Sequence, residues 1–232
     1  MDPSPLIART SSFQQAVLDW FAGDPAGRAG LPWRRTRDPW AVLVSEVMLQ
    51  QTQVRRVVPV FTRFMERFPT ATHCAEAPVG EEVRAWGGLG YNRRAVNLHR
   101  SASAMVTRHG GRVPSDLTGL LALPGVGPYT ARAVLAFAYE DDVGVLDTNS
   151  SRVLARAVAS GPLGRRAAQR LADALVPAGR SWEWNSALLD LGATVCTASA
   201  PRCTDCPVAE AAACGWRGVG RPGPDPAART GG

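Results

Sequence analysis

Apolar positions recur along the chain with the 3.6-residue period of an amphipathic helix. Phe13, Val17, Trp20 and Phe21 stand at i, i+4, i+7 and i+8 behind the cap candidates Ser11 and Ser12, and similar stripes continue to about residue 195. No alternating apolar and polar run of useful length points to a strand. The pattern predicts helices over residues 11–22, 39–53, 56–68, 79–86, 91–109, 115–123, 128–140, 148–160, 164–176 and 183–196, separated by short Gly and Pro connections. An all-α fold follows. The closing stretch GWRGVGRPGPDPAARTGG offers little to bury, so residues 217–232 are expected to form a disordered tail.

Composition narrows the chemistry. The chain has 232 residues, 45% of them hydrophobic, which is ordinary for a globular protein with a sizeable core. No apolar run reaches the roughly 18 residues of a membrane helix. The N-terminus lacks the basic flank and apolar segment of a secretory signal, so a cytoplasmic chain without structural disulfides is expected. The 26 basic residues against 20 acidic ones leave a net charge of +6, and all 26 are Arg. With no Lys, Schiff-base chemistry, pyridoxal phosphate enzymes and Walker-A nucleotide hydrolysis are excluded, because each needs a lysine. Arg suits bidentate phosphate binding, so the excess is compatible with a polyanionic partner; genomic base composition is an alternative cause of the missing lysines.

Four strings carry candidate chemistry. Cys196, Cys203, Cys206 and Cys214 form the pattern C-x6-C-x2-C-x7-C, with Cys74 apart as a core residue. Zinc usually takes two close pairs, whereas here only Cys203 and Cys206 are close, a spacing that suits a four-iron cubane; buried free thiols are the alternative. The string Leu123-Pro124-Gly125-Val126-Gly127-Pro128-Tyr129-Thr130-Ala131 lies between two predicted helices. It can aim backbone N–H groups outward at a helix N-terminus, where a phosphate binds, although a plain interhelical turn reads the same. Asp147, in Val145-Leu146-Asp147-Thr148-Asn149, opens a helix and reads in isolation as its N-cap. Glu46, in Ser45-Glu46-Val47-Met48-Leu49-Gln50-Gln51-Thr52, has apolar neighbours on both sides and suits a general acid, unless it is partly exposed.

Together the hairpin, the Asp after it, the Glu of the Ser-Glu-Val-Met-Leu-Gln-Gln-Thr helix and the terminal cysteines resemble the helix-hairpin-helix DNA glycosylases, most closely their MutY-type adenine glycosylase branch. Leu31-Pro32-Trp33-Arg34, Trp86-Gly87-Gly88-Leu89-Gly90-Tyr91, Ala95 to His99 and Leu191-Gly192-Ala193 also match that branch, so the likeness spans roughly residues 13 to 216. The resemblance implies a six-helix module over residues 38–148 and a terminal helical domain from residues 8–37 and 149–216, with an active cleft between them. It implies a 4Fe-4S cluster on Cys196, Cys203, Cys206 and Cys214. It further implies a monomer acting on double-stranded DNA that contains a mismatch or an oxidised guanine.

The implied reaction is base excision repair by hydrolysis of the N-glycosidic bond of adenine opposite 8-oxoguanine or guanine, after the nucleotide is flipped from the stack. Glu46 would protonate the purine N7, Asp147 would stabilise the oxocarbenium-like sugar, and Asn149 and Tyr129 would position water and the carboxylates. Trp33, Arg34 and Leu49 would line the adenine pocket, while Gln51, Thr52 and Tyr91 would fill the gap and contact the estranged base. Gly125, Val126 and Gly127 would bind a DNA phosphate, with Arg55, Arg56, Arg93, Arg94, Arg202 and Arg217 as further phosphate contacts. Relatives of the endonuclease III type carry a lysine nucleophile where this chain has Tyr129, so the implied enzyme is monofunctional and leaves an abasic site.

The chain departs from the branch in three places. Ser186 stands where a carboxamide or carboxylate reads adenine's edge, the last cysteine gap is longer than usual, and the branch's domain that recognises 8-oxoguanine is not expected in the few residues after the cysteines. Two alternatives follow. One is a thymine or uracil glycosylase for G·T and G·U mismatches, against which Gln50-Gln51 stands; the other is a non-catalytic iron–sulfur DNA-binding module, against which Glu46 and Asp147 stand.

Overall fold

The computed structural model of the chain describes residues 4–24, 27–211 and 213–216; the expected tail, with Arg217, lies outside them. All regular elements among the described residues are helical. In order they are α1 (Ser4–Ala22), a 3-10 turn (Pro32–Arg34), α2 (Pro39–Leu49), α3 (Val54–Arg67), α4 (Ala71–Glu76), α5 (Val79–Ala85), α6 (Arg93–His109), α7 (Leu117–Leu121), α8 (Pro128–Ala138), α9 (Thr148–Ala157), α10 (Arg165–Ala174), α11 (Ser181–Thr194), a second 3-10 turn (Cys203–Asp205) and α12 (Pro207–Glu210). No helix among them is long and apolar enough to cross a membrane. The chain divides into two compact units, one from residues 1–27 and 142–232, the other from residues 28–141.

In the 28–141 unit, α2 is the core helix. Asp38 caps it by accepting from the backbone N of Trp40 at 3.1 Å and of Ala41 at 3.3 Å, and Pro39 occupies its first position. Every residue from Trp40 to Met48 is buried, so α2 has no polar face and packs on α3, α6 and α8. The predicted continuation of this helix to residue 53 does not form: Gln51 takes φ +54°, outside the right-handed region, and Leu49 is the last helical residue. The six-residue α4 carries too few turns for a periodic signal; Thr70 caps it, accepting from His73 N at 3.3 Å.

In the unit built from both chain ends, α1 packs on α11 and α12, and α9 packs on α10 and α11. Phe13, Val17, Leu154, Trp184, Leu188 and Leu191 form its core, with Phe13 meeting Trp184 edge-on at 5.6 Å. Helices α9 and α11 touch at Gly192, where a Cβ would come within 2.8 Å of the Asn149 Cβ. Only a glycine allows that approach, and it brings α11 against the first turn of α9, where Asp147 and Asn149 lie.

Candidate active site and cysteine pocket

Asp147 is the N-cap of α9. Its Oδ1 accepts from the backbone N of Asn149 at 2.8 Å and of Ser150 at 2.7 Å, its Oδ2 accepts from Asn149 Nδ2 at 2.9 Å, and its own N donates to Ser150 Oγ at 2.9 Å. This reciprocal capping box holds a half-buried carboxylate at a helix N-terminus, among N–H donors. The cap reading is therefore met, and it leaves the carboxylate in one fixed orientation.

Two further sets of contacts fix that orientation. Arg152 donates to Asn149 Oδ1 at 2.8 Å, to the Gly192 carbonyl at 2.7 Å and, through Nε, to the Cys196 carbonyl at 2.8 Å. Asn185 holds the segment entering Asp147: its Oδ1 accepts from Val145 N at 2.7 Å and its Nδ2 donates to the Val143 carbonyl at 3.0 Å. Ser186, expected where adenine's edge is read, is buried in α11, and its neighbour Asn185 positions the segment entering Asp147.

The 28–141 unit carries the other predicted residues. Glu46 is only 6% exposed, so the partly exposed alternative does not apply. Trp33 is buried in the 3-10 turn with its ring edge-on to Phe61 at 5.4 Å; Arg34 and Leu49 are half-buried. In the hairpin, Gly125 takes φ +80°, and a Cβ there would lie 2.9 Å from the Asn97 Cβ. Ser101 Oγ donates to the Pro124 carbonyl at 2.8 Å, and Val126 is buried. Gly127 is the N-cap of α8 and offers no side chain over its first turn, and Pro128 and the half-buried Tyr129 follow. Gln50 Nε2 donates to Thr130 Oγ1 at 3.3 Å, linking α2 to α8.

Arg94 corrects one expectation. It is not a phosphate contact but a staple: its NH1 donates to the carbonyls of Val47 at 3.0 Å, Met48 at 2.8 Å and Gln50 at 2.5 Å, and its NH2 donates to Thr52 Oγ1 at 3.0 Å and the Gly90 carbonyl at 3.1 Å. It thereby satisfies the open carbonyls at the C-terminus of α2 and joins them to the Gly88–Tyr91 turn. Arg56 also donates to the Gly88 carbonyl, so it too is engaged by this turn. The two loops rim an open cleft of about 470 Å³ lined by Gln50, Gln51, Tyr91, Arg93, Arg94 and Asn97. At its edge Gln51 and Tyr91 both hold left-handed backbones, φ +54° and +50°, and Tyr91 is 66% exposed. Non-glycine residues rarely adopt that conformation, and such strain collects at binding sites.

Cys196, Cys203, Cys206 and Cys214 line one pocket together with Arg156 and Trp216. All four are half-buried. Arg156 fixes the turn after Cys196, donating to the Thr197 carbonyl at 2.7 Å and the Ala198 carbonyl at 3.0 Å, and lies over the Trp216 ring at 4.5 Å. Burial, ahead of the nearby thiols of Cys196 and Cys214, pushes the Cys206 thiol up. Four thiols around one apolar pocket suit a soft metal cluster, which takes them as thiolates.

Residues 44–177 match the model of the HhH-GPD superfamily base excision DNA repair protein. The adenine DNA glycosylase of Mycolicibacterium smegmatis is 47% identical over 210 residues, covering 89% of this chain and 70% of that protein. The adenine DNA glycosylase of Mycobacterium tuberculosis is 45% identical over 221 residues, covering 93% and 71%. Among solved structures, a thermostable thymine-DNA glycosylase superposes with a TM-score of 0.82 at 29% identity, covering 92% of this chain and 97% of that one. The chain belongs to the HhH-GPD superfamily of base excision DNA repair proteins, in the family of the adenine DNA glycosylases.

Proposed function

We propose that the chain is a monofunctional DNA glycosylase that hydrolyses the N-glycosidic bond of adenine mispaired with 8-oxoguanine or guanine in double-stranded DNA. The observation that carries this reading is Asp147, a carboxylate fixed at the head of α9 by Asn149 and Ser150. Adenine rather than thymine is argued from sequence: the adenine DNA glycosylases stand at 45–47% identity and the thymine-DNA glycosylase at 29%. The fold is common to both and does not report the base.

The target nucleotide leaves the stack at a cost of about a few kcal/mol, and Gln51, Thr52 and Tyr91 occupy the gap beside its estranged partner. The hairpin N–H groups around Gly125, Val126 and Gly127 receive a backbone phosphate. Trp33, Arg34, Leu49 and Ser186 contact the extruded adenine. Glu46 passes its proton to adenine N7; the C1′–N9 bond then breaks, its electron pair leaves with the base, and the Asp147 carboxylate stabilises the positive sugar. Water held by Asn149 and Tyr129 adds to C1′ and returns a proton to Glu46, leaving an abasic site. No lysine is present to form a Schiff base with that site, so the strand stays intact. Cys196, Cys203, Cys206 and Cys214 would hold a 4Fe-4S cluster, which when bound ties the segment after α11 into one loop.

The test is single-turnover release from four duplexes, with A opposite 8-oxoguanine, A opposite G, T opposite G and U opposite G, each with and without later alkali. Adenine release alone, with strand breaks only after alkali, is expected. Release of T or U alone favours the mismatch reading instead, and breaks without alkali contradict a monofunctional enzyme.

A further inference from the structure

Cys74, Glu82 and His99 stand on α4, α5 and α6 and have no part in the chemistry above. Their ligand atoms all lie within 4.8 Å of one another. Cys74 and Glu82 are both 0% exposed, and the His99 side chain is 18% exposed. Cys74 Sγ donates to Glu82 Oε2 at 3.2 Å, and His99 Nδ1 stands 3.1 Å from the same oxygen. Two atoms of the trio nevertheless make no hydrogen bond in their buried positions: Glu82 Oε1 and His99 Nδ1. A buried carboxylate with an idle oxygen is costly unless something else compensates it.

We propose that this trio is a binding site for a divalent cation of the zinc class. Thiolate, imidazole and carboxylate together are a zinc donor set. One thiolate and one carboxylate balance the two charges of the ion, so the filled site adds no net charge to the interior. Glu82 bound through both oxygens brings Oε1 into use and supplies a fourth donor, while His99 Nδ1 exchanges its 3.1 Å approach to Oε2 for the ion. Glu82 and His99 also lie on the two helices that flank the Trp86–Asn92 connection, so the ion clamps the base of the turn that presents Tyr91. Binding releases the Cys74 proton to solvent, together with the proton that burial keeps on the Glu82 carboxyl near neutral pH, and involves no redox step.

The test is dialysis of the whole chain, as purified, first against EDTA and then against zinc, with zinc and iron counted per chain by mass spectrometry. One zinc per chain is expected in addition to any iron. Cys74→Ala and Glu82→Gln are each expected to weaken it by more than the roughly 10–100-fold that loss of an outer-shell partner costs. A wild-type chain that retains no zinc, or variants that hold it as tightly as wild type, overturns the site. If either variant fails to fold, X-ray absorption at the zinc edge decides: one sulfur among nitrogen and oxygen donors supports the trio, and four sulfurs would put zinc on the other cysteines and overturn it.

Discussion

Asn149 Nδ2 donates to Asp147 Oδ2 at 2.9 Å, and the other end of the same carboxamide accepts from Arg152 at 2.8 Å. Asp147 is thus aimed by a chain of contacts that continues through Arg152 to the carbonyls of Gly192 and Cys196. Arg152→Ala frees the Asn149 carboxamide to turn, and a displacement near 1 Å at the reacting centre costs about 100-fold in rate. Single-turnover base release should fall by that order. Arg152→Lys should recover only part of it, because an ammonium lacks the planar fork that reaches several acceptors at once.

Arg93 and Arg94 are neighbours in different surroundings. Arg94→Ala leaves the carbonyls of Val47, Met48 and Gln50 without their donor. A loss of about 2–3 kcal/mol in unfolding free energy is expected, seen by denaturant titration. Arg93 is exposed on the cleft rim. Arg93→Ala should change stability by less than about 0.5 kcal/mol yet lower the salt dependence of DNA binding by about one unit of slope.

Tyr91 holds a left-handed backbone at φ +50° and is 66% exposed, with the Arg94 guanidinium 5.7 Å from its ring centre. Tyr91→Gly should raise stability by about 1 kcal/mol, since glycine adopts that conformation without strain. Affinity for a mispaired duplex should fall over the same change by about 1–3 kcal/mol, the worth of one base–aromatic contact. Melting temperature and titration of labelled duplex separate the two effects.

Cys203→Ser is expected to lower the iron content of the purified chain and, with it, the melting temperature. Base release should fall as well, because the Cys196 carbonyl that Arg152 grips lies on the same pocket. Iron analysis and absorbance spectra check the first effect; single-turnover kinetics check the second.

Local pattern made much of this legible. The apolar run around Glu46 announced a buried helix, the Gly-Val-Gly-Pro string announced a turn into α8, and Asp147 announced a cap. Residues whose partners lie far along the chain were not legible. Asn185 acts 40 residues away, on Val145, and nothing in Trp184-Asn185-Ser186 marks it over its neighbours. Arg94 looks like Arg93 in sequence, and its role appears only when α2 ends 44 to 47 residues earlier in the chain with open carbonyls. The end of α2 itself was overrun, because Gln50-Gln51-Thr52 has no Gly or Pro to signal that Gln51 turns left-handed.

The most direct test of the account is Asp147→Asn, because asparagine caps a helix about as well as aspartate but carries no charge. A small drop in melting temperature is expected, because the amide nitrogen that replaces Oδ2 faces Asn149 Nδ2 donor to donor, with binding of an A opposite 8-oxoguanine duplex retained and adenine release slowed by about 100-fold or more. Release at the wild-type rate from a folded and equally bound protein would contradict the account, and would leave Asp147 as a helix cap alone.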